Sequence, residues 1–450
     1  MSIGDKYKIK DTVYYTKIDE FVYVRDVANR KDYKFSLIAE DVFSILKDET
    51  KLDSLLEKLR YLYRVDDQSQ FCNEITSFVH VLIDRGLVVK TNTVKSKESL
   101  ANEMPIKEQV EEYCQKNKRM WGLGLELTYR CNERCIHCYV PQDKEDKQIE
   151  LSSDEIKDVI TQAKKIGCME VLVTGGEPTL RRDFLEICEH IINERMLLNV
   201  FTNALNISDR VFNGLISLPL NSVSFSLYGR NPFFHDSITG VKGSFESSLK
   251  NILMFKSAGI DVFVKTIVFN NHVDEYEKLH QFCEQIGIAV RPATVLVPKY
   301  NGCSNRDLMM DEKSATRFYE YECKRNQQEK SLGLIKRSPN SSVCSAGLSS
   351  LCVNPYGEVT ACNSLPIPVG NIREQRLSDI WYKSESLNRI RNIKFADLGS
   401  ACVACDCSAL CGACLGAMYQ ENNKEFKACD YMCRYAMKRK EIGIGIKQVY

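Results

Sequence analysis

The chain has 450 residues, which is enough for about three domains with a large core. Its 61 basic and 60 acidic residues give a net charge of +1, so the charge balance excludes a protein that binds nucleic acid through a basic surface. The N-terminus lacks an apolar signal core and no stretch reaches transmembrane length, so we expect a cytoplasmic protein without a membrane partner. In that reducing compartment, 20 cysteines indicate metal or redox chemistry and not disulfides.

Residues 1–92 combine three strand-like runs with three helical patterns. The runs contain Val13–Tyr15, Phe21–Val24 and Tyr33–Phe35, and the apolar stripes begin at Ile38, Leu52 and Phe71. This order predicts a small winged-helix-like domain. Such domains often bind DNA, but no helix here has a basic face. The polar residues 93–120 are predicted to form a linker.

Strands and helices alternate over residues 121–310. The first predicted strand is Leu123–Leu127, and the others lie around Val171–Val173, Leu198–Phe201, Val223–Leu227, Val262–Val268 and Ile288–Val295. Six β-α units predict a parallel sheet that is covered by helices on its outer face. The site of such a sheet lies at the carboxyl ends of its strands.

Three cysteines directly follow the first of these strands. Cys131, Cys135 and Cys138 supply three thiolates from one tight loop. A structural zinc site takes four protein ligands, and a closed iron–sulfur cluster takes four cysteines, so three cysteines leave one metal position open. The alternatives are a zinc knuckle with a distant fourth ligand and a chance spacing in a cysteine-rich chain.

A second motif, Gly175-Gly176-Glu177-Pro178, ends the next strand. Glycines allow the backbone to approach a ligand closely, and a glutamate can accept a hydrogen bond from a cationic amine. Alone, the motif is an ordinary strand-to-helix turn. One β-α unit after the cysteine loop, it strengthens the metal interpretation.

Together the two motifs resemble the radical S-adenosylmethionine (SAM) superfamily. The resemblance implies an α/β fold with a partial (β/α)6 TIM-like barrel, and a 4Fe-4S cluster whose open iron is chelated by SAM. It also implies that the Gly-Gly-Glu-Pro turn lies along the methionine moiety and that SAM is cleaved reductively to a 5′-deoxyadenosyl radical.

Three further residues are assigned to SAM. Ser226 matches the family serine that touches the ribose, and His137 stands where relatives place a ring beside the adenine. Asn203 is a candidate because it ends the third strand. No ribose role is extended to Tyr228, and we interpret His235 as structural.

In this context the N-terminal domain resembles the PqqD-like precursor-recognition element of peptide-modifying radical SAM enzymes. The resemblance implies that a leader peptide adds as a strand to the third β-strand, at Asp32–Ser36, beside the third helix.

Ten of the 20 cysteines lie from Cys344 onward. Cys344 is followed by Gly357 after twelve residues and by Cys362 after four more, and the turn residues Asn354–Gly357 predict a hairpin. Next come Cys402, Cys405, Cys411, Cys414, Cys429 and Cys433. Zinc ribbons separate their cysteine pairs by about 15–20 residues, so the closer spacing here favours iron–sulfur clusters.

The pattern resembles the SPASM extension, predicted here over residues 344–450 after a bridging segment, 311–343. The resemblance implies two auxiliary clusters, and so three 4Fe-4S clusters in all. Its first auxiliary set is Cys344, Cys362 and Cys414, with Cys352 as a possible fourth ligand in place of an open iron. Its second auxiliary set is Cys402, Cys405, Cys411 and Cys433. Cys429 is the alternative to Cys433 as the last ligand of the second set, and Cys433 is favoured. The role of Cys407 stays open.

These features predict an enzyme that forms thioether crosslinks in a ribosomally made peptide, similar to the makers of sactipeptides and ranthipeptides. Its expected partners are a cysteine-containing precursor with a leader and a one-electron reductant, flavodoxin or ferredoxin. The alternatives are a maturase that joins two carbons or epimerises a residue, and a non-catalytic iron–sulfur protein that binds peptides and carries electrons. The three-cysteine site argues against the last, because an electron carrier gains nothing from an open iron.

Overall fold

A computed structural model of the chain describes residues 5–65, 68–90, 106–140, 148–300, 304–325 and 336–443. The N-terminal strands are β1 (Lys6–Ile9), β2 (Val13–Ile18), β3 (Phe21–Asp26), β4 (Lys31–Phe35), β5 (Thr50–Lys51) and β6 (Val88–Lys90). The N-terminal helices are α1 (Ile38–Ile45), α2 (Leu52–Tyr63) and α3 (Gln68–Asp84), followed by α4 (Ile106–Asn117). The strands form two antiparallel sheets, with the orders β5-β1-β6 and β2-β3-β4.

Both faces of the sheet β2-β3-β4 are covered. Val22 and Val24 pack with the apolar faces of α1, α2 and α3. Tyr14 and Tyr23 point to the opposite face, where they pack with Trp121. This second contact attaches the N-terminal part to the barrel. The predicted three strands and three helices are present, whereas β1 and β5 were not predicted and α4 lies within the expected linker.

Six parallel strands form the central part. They are β7 (Gly122–Glu126), β8 (Glu170–Thr174), β9 (Leu197–Thr202), β10 (Ser222–Ser226), β11 (Val262–Ile267) and β12 (Ala289–Ala293). Their helices are α5 (Ser153–Lys165), α6 (Phe184–Asn193), α7 (Asp209–Ser217), α8 (Pro232–Thr239), α9 (Ser244–Ser257) and α10 (Val273–Gln285). Neighbours along the chain pair in parallel, which confirms the predicted α/β sheet and is consistent with a partial barrel.

Alternation along these strands separates two environments. Leu123 and Leu125 of β7 pack in the large core with side chains of the outer helices. The alternate residues of β7, Gly122, Gly124 and Glu126, point to the other face, which is the barrel interior. The same alternation on the other five strands decides which side chains line the interior.

The C-terminal part extends the central sheet. Its helices are α11 (Glu312–Arg325), α12 (Leu377–Lys383), α13 (Glu385–Asn392), α14 (Ser400–Ala404), α15 (Leu415–Glu421) and α16 (Asp430–Ile442), and its strands are β13 (Ser350–Val353), β14 (Glu358–Cys362) and β15 (Leu365–Asn371). The predicted hairpin is β13–β14. β13 also pairs in parallel with β7, which gives a nine-stranded sheet that was not predicted.

Gly124 explains how this pairing is possible. It lies opposite Cys352 in the β7–β13 register, and a Cβ atom at Gly124 would stand 2.8 Å from the Cys352 sulfur. Glycine at this position therefore leaves room for the cysteine. Within the described residues, no helix is both long and apolar enough to cross a membrane.

Candidate active site

The backbone just before the cysteine loop (residues 131–138) is joined to the glycine turn that follows β8. Gly176 N–H donates to the Thr128 carbonyl at 2.7 Å, and Glu177 N–H donates to the Arg130 carbonyl at 2.9 Å. A Cβ atom at Gly176 would lie 2.4 Å from the Arg130 carbonyl oxygen. Gly175 has φ +138° and is equally close to Thr128. Side chains at these two positions would therefore push the turn away from the cysteine loop.

Glu177 ties the turn to the end of β9. Its carboxylate is 1% exposed and accepts hydrogen bonds from the Thr179 N–H and hydroxyl (3.1 and 2.6 Å), the Thr202 hydroxyl (2.8 Å) and the Asn203 N–H (2.8 Å). Burial raises the pKa of Glu177, and these donors oppose the rise. The carboxylate is thus largely occupied by internal donors, and contact with the amine of a ligand stays a prediction.

Asn203 reaches the cysteine loop from the other side. Its side-chain N–H₂ donates to Asn132 Oδ1 at 2.7 Å and lies 3.7 Å from the Cys131 sulfur. Ser226 ends β10 at the same edge of the sheet. Both predicted residues therefore lie at the carboxyl edge that carries the cysteines, as parallel strands require.

His137 lies in an aromatic environment. Its ring centroid is 4.9 Å from that of Tyr228 and 5.5 Å from that of Phe269. Burial lowers the pKa of His137 to about 3, so the ring is neutral and suits orientation of a ligand rather than proton transfer. His235 is fully buried and accepts a hydrogen bond from the Tyr228 N–H at 3.2 Å, which is a structural role.

The thiols of the cysteine loop fit the predicted cluster. Burial raises the pKa of Cys131 to about 12, and burial, Glu133 and the other two thiols raise that of Cys135. Metal binding would displace these thiol protons, since the thiolate is the ligand. Among the described residues, no three His, Cys, Asp or Glu side chains converge on a point for one metal ion. In a four-iron cluster each cysteine binds its own iron, so three spaced thiols suit a cluster with one iron left open.

The first auxiliary set is brought together by the tertiary fold. Cys362 ends β14, and Cys414 precedes α15. Burial raises the pKa of Cys414 to about 12, and the nearby thiols of Cys362 and Cys344 contribute to the rise. Cys352 lies beside Cys362. Burial raises the pKa of the Cys352 thiol, and the neighbouring Cys362 thiol contributes to the rise. These contacts fit the predicted set, and the role of Cys352 stays a prediction.

The second auxiliary set lies around the start of α16. Burial raises the pKa of Cys411 to about 11, and the neighbouring thiols of Cys433, Cys402 and Cys405 contribute to the rise. All four predicted members are therefore neighbours. The two undecided cysteines are Cys429, which is 1% exposed with Asn422 Nδ2 at 3.7 Å, and Cys407, whose N–H donates to the Cys405 sulfur at 3.3 Å.

Sequence reasoning missed a cluster around Glu126. This carboxylate is 4% exposed and accepts hydrogen bonds from the hydroxyls of Tyr139 (2.6 Å) and Tyr129 (2.9 Å), which flank the cysteine loop. The Asn363 amide lies 3.4 Å from the Tyr139 hydroxyl and 3.5 Å from the Cys362 sulfur. This Glu126 cluster connects the cysteine loop to the first auxiliary set. The available sequence signal was a charged residue at the end of an otherwise apolar strand.

Comparisons with known proteins agree with this geometry. The model of the radical SAM superfamily matches residues 125–283. The model of the SPASM iron–sulfur cluster-binding domain matches residues 344–407.

Three known proteins illustrate the similarity. The AdoMet-dependent heme synthase of Methanosarcina barkeri is 25% identical over 66% of this chain and 91% of its own length. The mycofactocin maturase MftC of Mycolicibacterium smegmatis is 27% identical over 66% of this chain and 78% of its own. The crystal structure of Streptococcus suis SuiB bound to precursor peptide SuiA has a TM-score of 0.60 at 16% identity, covering 95% of this chain and 99% of SuiB. The protein therefore contains a radical SAM domain followed by a SPASM iron–sulfur cluster-binding domain.

Proposed function

We propose that this protein is a radical SAM enzyme that modifies a ribosomally made precursor peptide and forms thioether bonds between cysteine sulfur and carbon. The observation that carries the proposal is the Glu126 cluster, which joins the cysteine loop to the first auxiliary set. Two redox sites this close, one of them with an open metal position, suit a reaction that both removes a hydrogen atom and removes an electron.

Thioether formation uses both sites. SAM bound at the cysteine loop would supply a 5′-deoxyadenosyl radical after one-electron reduction by flavodoxin or ferredoxin. For each bridge, a C–H and an S–H bond break and a C–S bond forms. One hydrogen atom would leave with the adenosyl group and the thiol would release a proton. Cys344, Cys362 and Cys414 would hold the cluster that supplies an acceptor for the remaining electron. The wall of the barrel between the two sites is where the peptide would lie.

The comparisons support a peptide substrate. MftC is a maturase by name, and SuiB has been crystallised with its precursor peptide. The fold of this chain matches SuiB over 95% of its residues, the N-terminal part included. We therefore assign leader recognition to residues 1–92.

β4 is the proposed docking strand. In the part of the chain that the structure describes, β4 pairs with β3 as its one strand partner, so its outer edge carries no paired strand there. Helix α3 lies alongside, with the Phe78 ring centroid 5.6 Å from that of Phe35 and the Arg85 guanidinium 5.6 Å from the Tyr33 ring. A leader would add backbone hydrogen bonds at the edge and rest its side chains on this aromatic surface.

Hydrogen exchange tests the docking strand in the intact protein. Adding the precursor should slow exchange of the amides of Lys31–Phe35 and leave those of the opposite edge strand, β2, unchanged. Binding of the peptide with protection elsewhere and none in β4 would contradict this location.

The mass of the product tests the chemistry. Each thioether should lower the peptide mass by two hydrogens and survive both disulfide reductants and thiol alkylation. If all peptide cysteines remain free and the loss of two hydrogens is located between two carbon side chains, the enzyme forms carbon–carbon bonds instead. An unchanged mass with an inverted centre would indicate epimerisation. If no precursor is changed while SAM is cleaved, the proposal is wrong.

A further inference from the structure

The interior wall formed by β10, β11 and β12 carries two adjacent cations. Lys265 of β11 lies directly opposite Arg291 of β12, and on its other side it lies opposite Ser226 of β10. Their strand neighbours, Val264 and Val290, pack toward the outer helices, so the two cations share the interior face. Like charges directly opposite in a sheet destabilise each other unless an anion lies between them.

Among the described residues, neither cation has such an anion. In the described residues, Lys265 and Arg291 form no hydrogen bond or ion pair and rest on aromatic rings instead. The Lys265 ammonium is 3.6 Å from the centroid of Phe201, and the Arg291 guanidinium is 3.8 Å from that of Phe263. Burial, and after it the charge of Arg291, lower the pKa of Lys265 to about 8.

The carboxylates whose charge acts on Arg291 already have other partners. Asp261 and Glu170 are the acids that act on Arg291. Asp261 forms an ion pair with Arg30 at 3.1 Å, and Glu170 forms one with Lys107 at 3.2 Å. The Glu126 carboxylate, on the first strand of the barrel, is held by two tyrosine hydroxyls. The charge on this wall is therefore left for a ligand.

A second observation also indicates a polar ligand. The Ser224 hydroxyl is buried without a hydrogen-bond partner, and Ser224 is 2% exposed. It lies on the same face of β10 as Ser226, one layer below Lys265. A buried hydroxyl and two uncompensated cations on one wall suit an anion with several acceptor atoms.

We propose that Lys265 and Arg291 form a carboxylate-binding subsite for the peptide substrate, taking an acidic side chain or a C-terminal carboxylate. The inference rests on the proposed function, since it deepens the identity of the substrate. The carboxylate of SAM is expected at the cysteine loop after β7, four strands away from β11 in the sheet order. Ser226, which lies opposite Lys265, is assigned to the ribose and not to the carboxylate of SAM. An anion at β11 and β12 would therefore belong to a second molecule held beside SAM.

Competitive acylation of Lys265 tests the subsite without catalysis. The holoenzyme is treated anaerobically with acetic anhydride at pH 8, and acetylation of each lysine is followed by mass spectrometry. The probes are the N-acetylated peptide Gly-Gly-Asp-Gly-Gly with an amidated end, the same peptide with Asn for Asp, the Asn peptide with a free carboxyl end, and SAM alone. Lys250, which is exposed on the outer helix α9, is the internal control.

The expected result is that a carboxylate-bearing peptide slows acetylation of Lys265 about tenfold at saturation, equivalent to about 1.4 kcal/mol. The amidated Asn peptide should have no effect, and Lys250 should react equally throughout. Protection by the Asp peptide identifies a side-chain carboxylate, and protection by the free-ended Asn peptide identifies a terminal one. Equal protection by SAM alone, or no protection by any peptide, would overturn the proposal.

Variants keep the test separate from folding and from the proposed function. Arg291→Met should weaken protection of Lys265 by the same peptide, whereas Lys250→Met should leave it unchanged. Both variants should still bind SAM as the unaltered enzyme does, because neither residue is assigned to SAM. If protection is observed but no precursor is ever modified, the proposed function fails while the carboxylate subsite stands.

Discussion

The three cysteines of the barrel lie within one loop, residues 131–138, whereas the assigned C-terminal cysteines are spread from Cys344 to Cys433. The segment that leads into the loop accepts backbone hydrogen bonds from the glycine turn of the next β-α unit, and the loop itself donates backbone hydrogen bonds from Arg134 and Ile136 to the end of α8. The C-terminal sets instead depend on strands, turns and helices that are distant in sequence. The predicted open site thus takes its three thiols from one short segment, whereas the predicted auxiliary sites take theirs from elements spread over the whole C-terminal part.

The largest effect should come from removing the local site. Replacing Cys131, Cys135 and Cys138 together with alanine should abolish 5′-deoxyadenosine formation and remove about one third of the bound iron. The C-terminal clusters should remain, because their cysteines are on other elements. The yield of deoxyadenosine under reductant measures the first effect, and the iron content measures which clusters remain. Deoxyadenosine at the level of the unaltered enzyme would contradict the assignment.

For the C-terminal cysteines, a sharper prediction concerns one ligand of the second auxiliary set, Cys433. Cys433→Ser should lose the cluster of the second auxiliary set, because Cys433 neighbours Cys402 and Cys405. The matched change Cys429→Ser should retain the full iron content, since Cys429 lies against Asn422. Iron analysis and electron paramagnetic resonance distinguish them. Loss of iron in the Cys429 variant alone would reverse the assignment.

The glycine turn can be tested by adding a single methyl group. Gly176→Ala should destabilise the turn by about 1–3 kcal/mol through overpacking, because its Cβ would meet the Arg130 carbonyl at 2.4 Å. It should also lower SAM affinity. In Gly122→Ala, the control on β7, the new Cβ would find its nearest atom at 3.6 Å. Equal unfolding temperatures and SAM affinities for the two variants would show that the close approach is unimportant.

The smallest effect concerns the junction between the two regions. The Arg373 guanidinium, after β15, donates to Glu155 at the start of α5 at 2.7 and 3.2 Å. The hydrogen bonds from Arg373 lower the pKa of Glu155 most, burial acts in the opposite direction, and the hydrogen bonds from the N-cap residue Ser152 lower it as well. Together they bring the pKa of Glu155 from 4.5 to about 2. A lowered folded-state pKa contributes stability above pH 4.5 that is lost as the pH falls through about 2.

This ion pair is partly exposed, so it should contribute about 0.5–1 kcal/mol. Arg373→Met should therefore lower the unfolding temperature slightly at pH 7 and flatten its decline in acid. Lys383→Met is the control, because it removes a more exposed ion pair with Asp379. It should change neither the unfolding temperature at pH 7 nor the decline of that temperature in acid. An acid dependence identical to that of the unaltered chain would exclude this role for Glu155.

Most of what the sequence determined is local in origin. The three-cysteine loop, the Gly-Gly-Glu-Pro turn and the six parallel strands follow from spacing and periodicity within single β-α units. Each unit buries one apolar stripe and exposes polar residues at its strand end, so its pattern survives in the sequence. The capping box of α5, formed by Ser152 and Glu155, is a local feature of the same kind.

Tertiary structure alone decided what depends on pairing between distant segments. The sequence does not indicate that β13 pairs with β7, because this register depends on Gly124 leaving room for Cys352. That pairing places Asn363 beside Tyr139 and so creates the Glu126 cluster. Lys265 and Arg291 are adjacent for a similar reason, since the β11–β12 register sets one cation against the other on the interior wall.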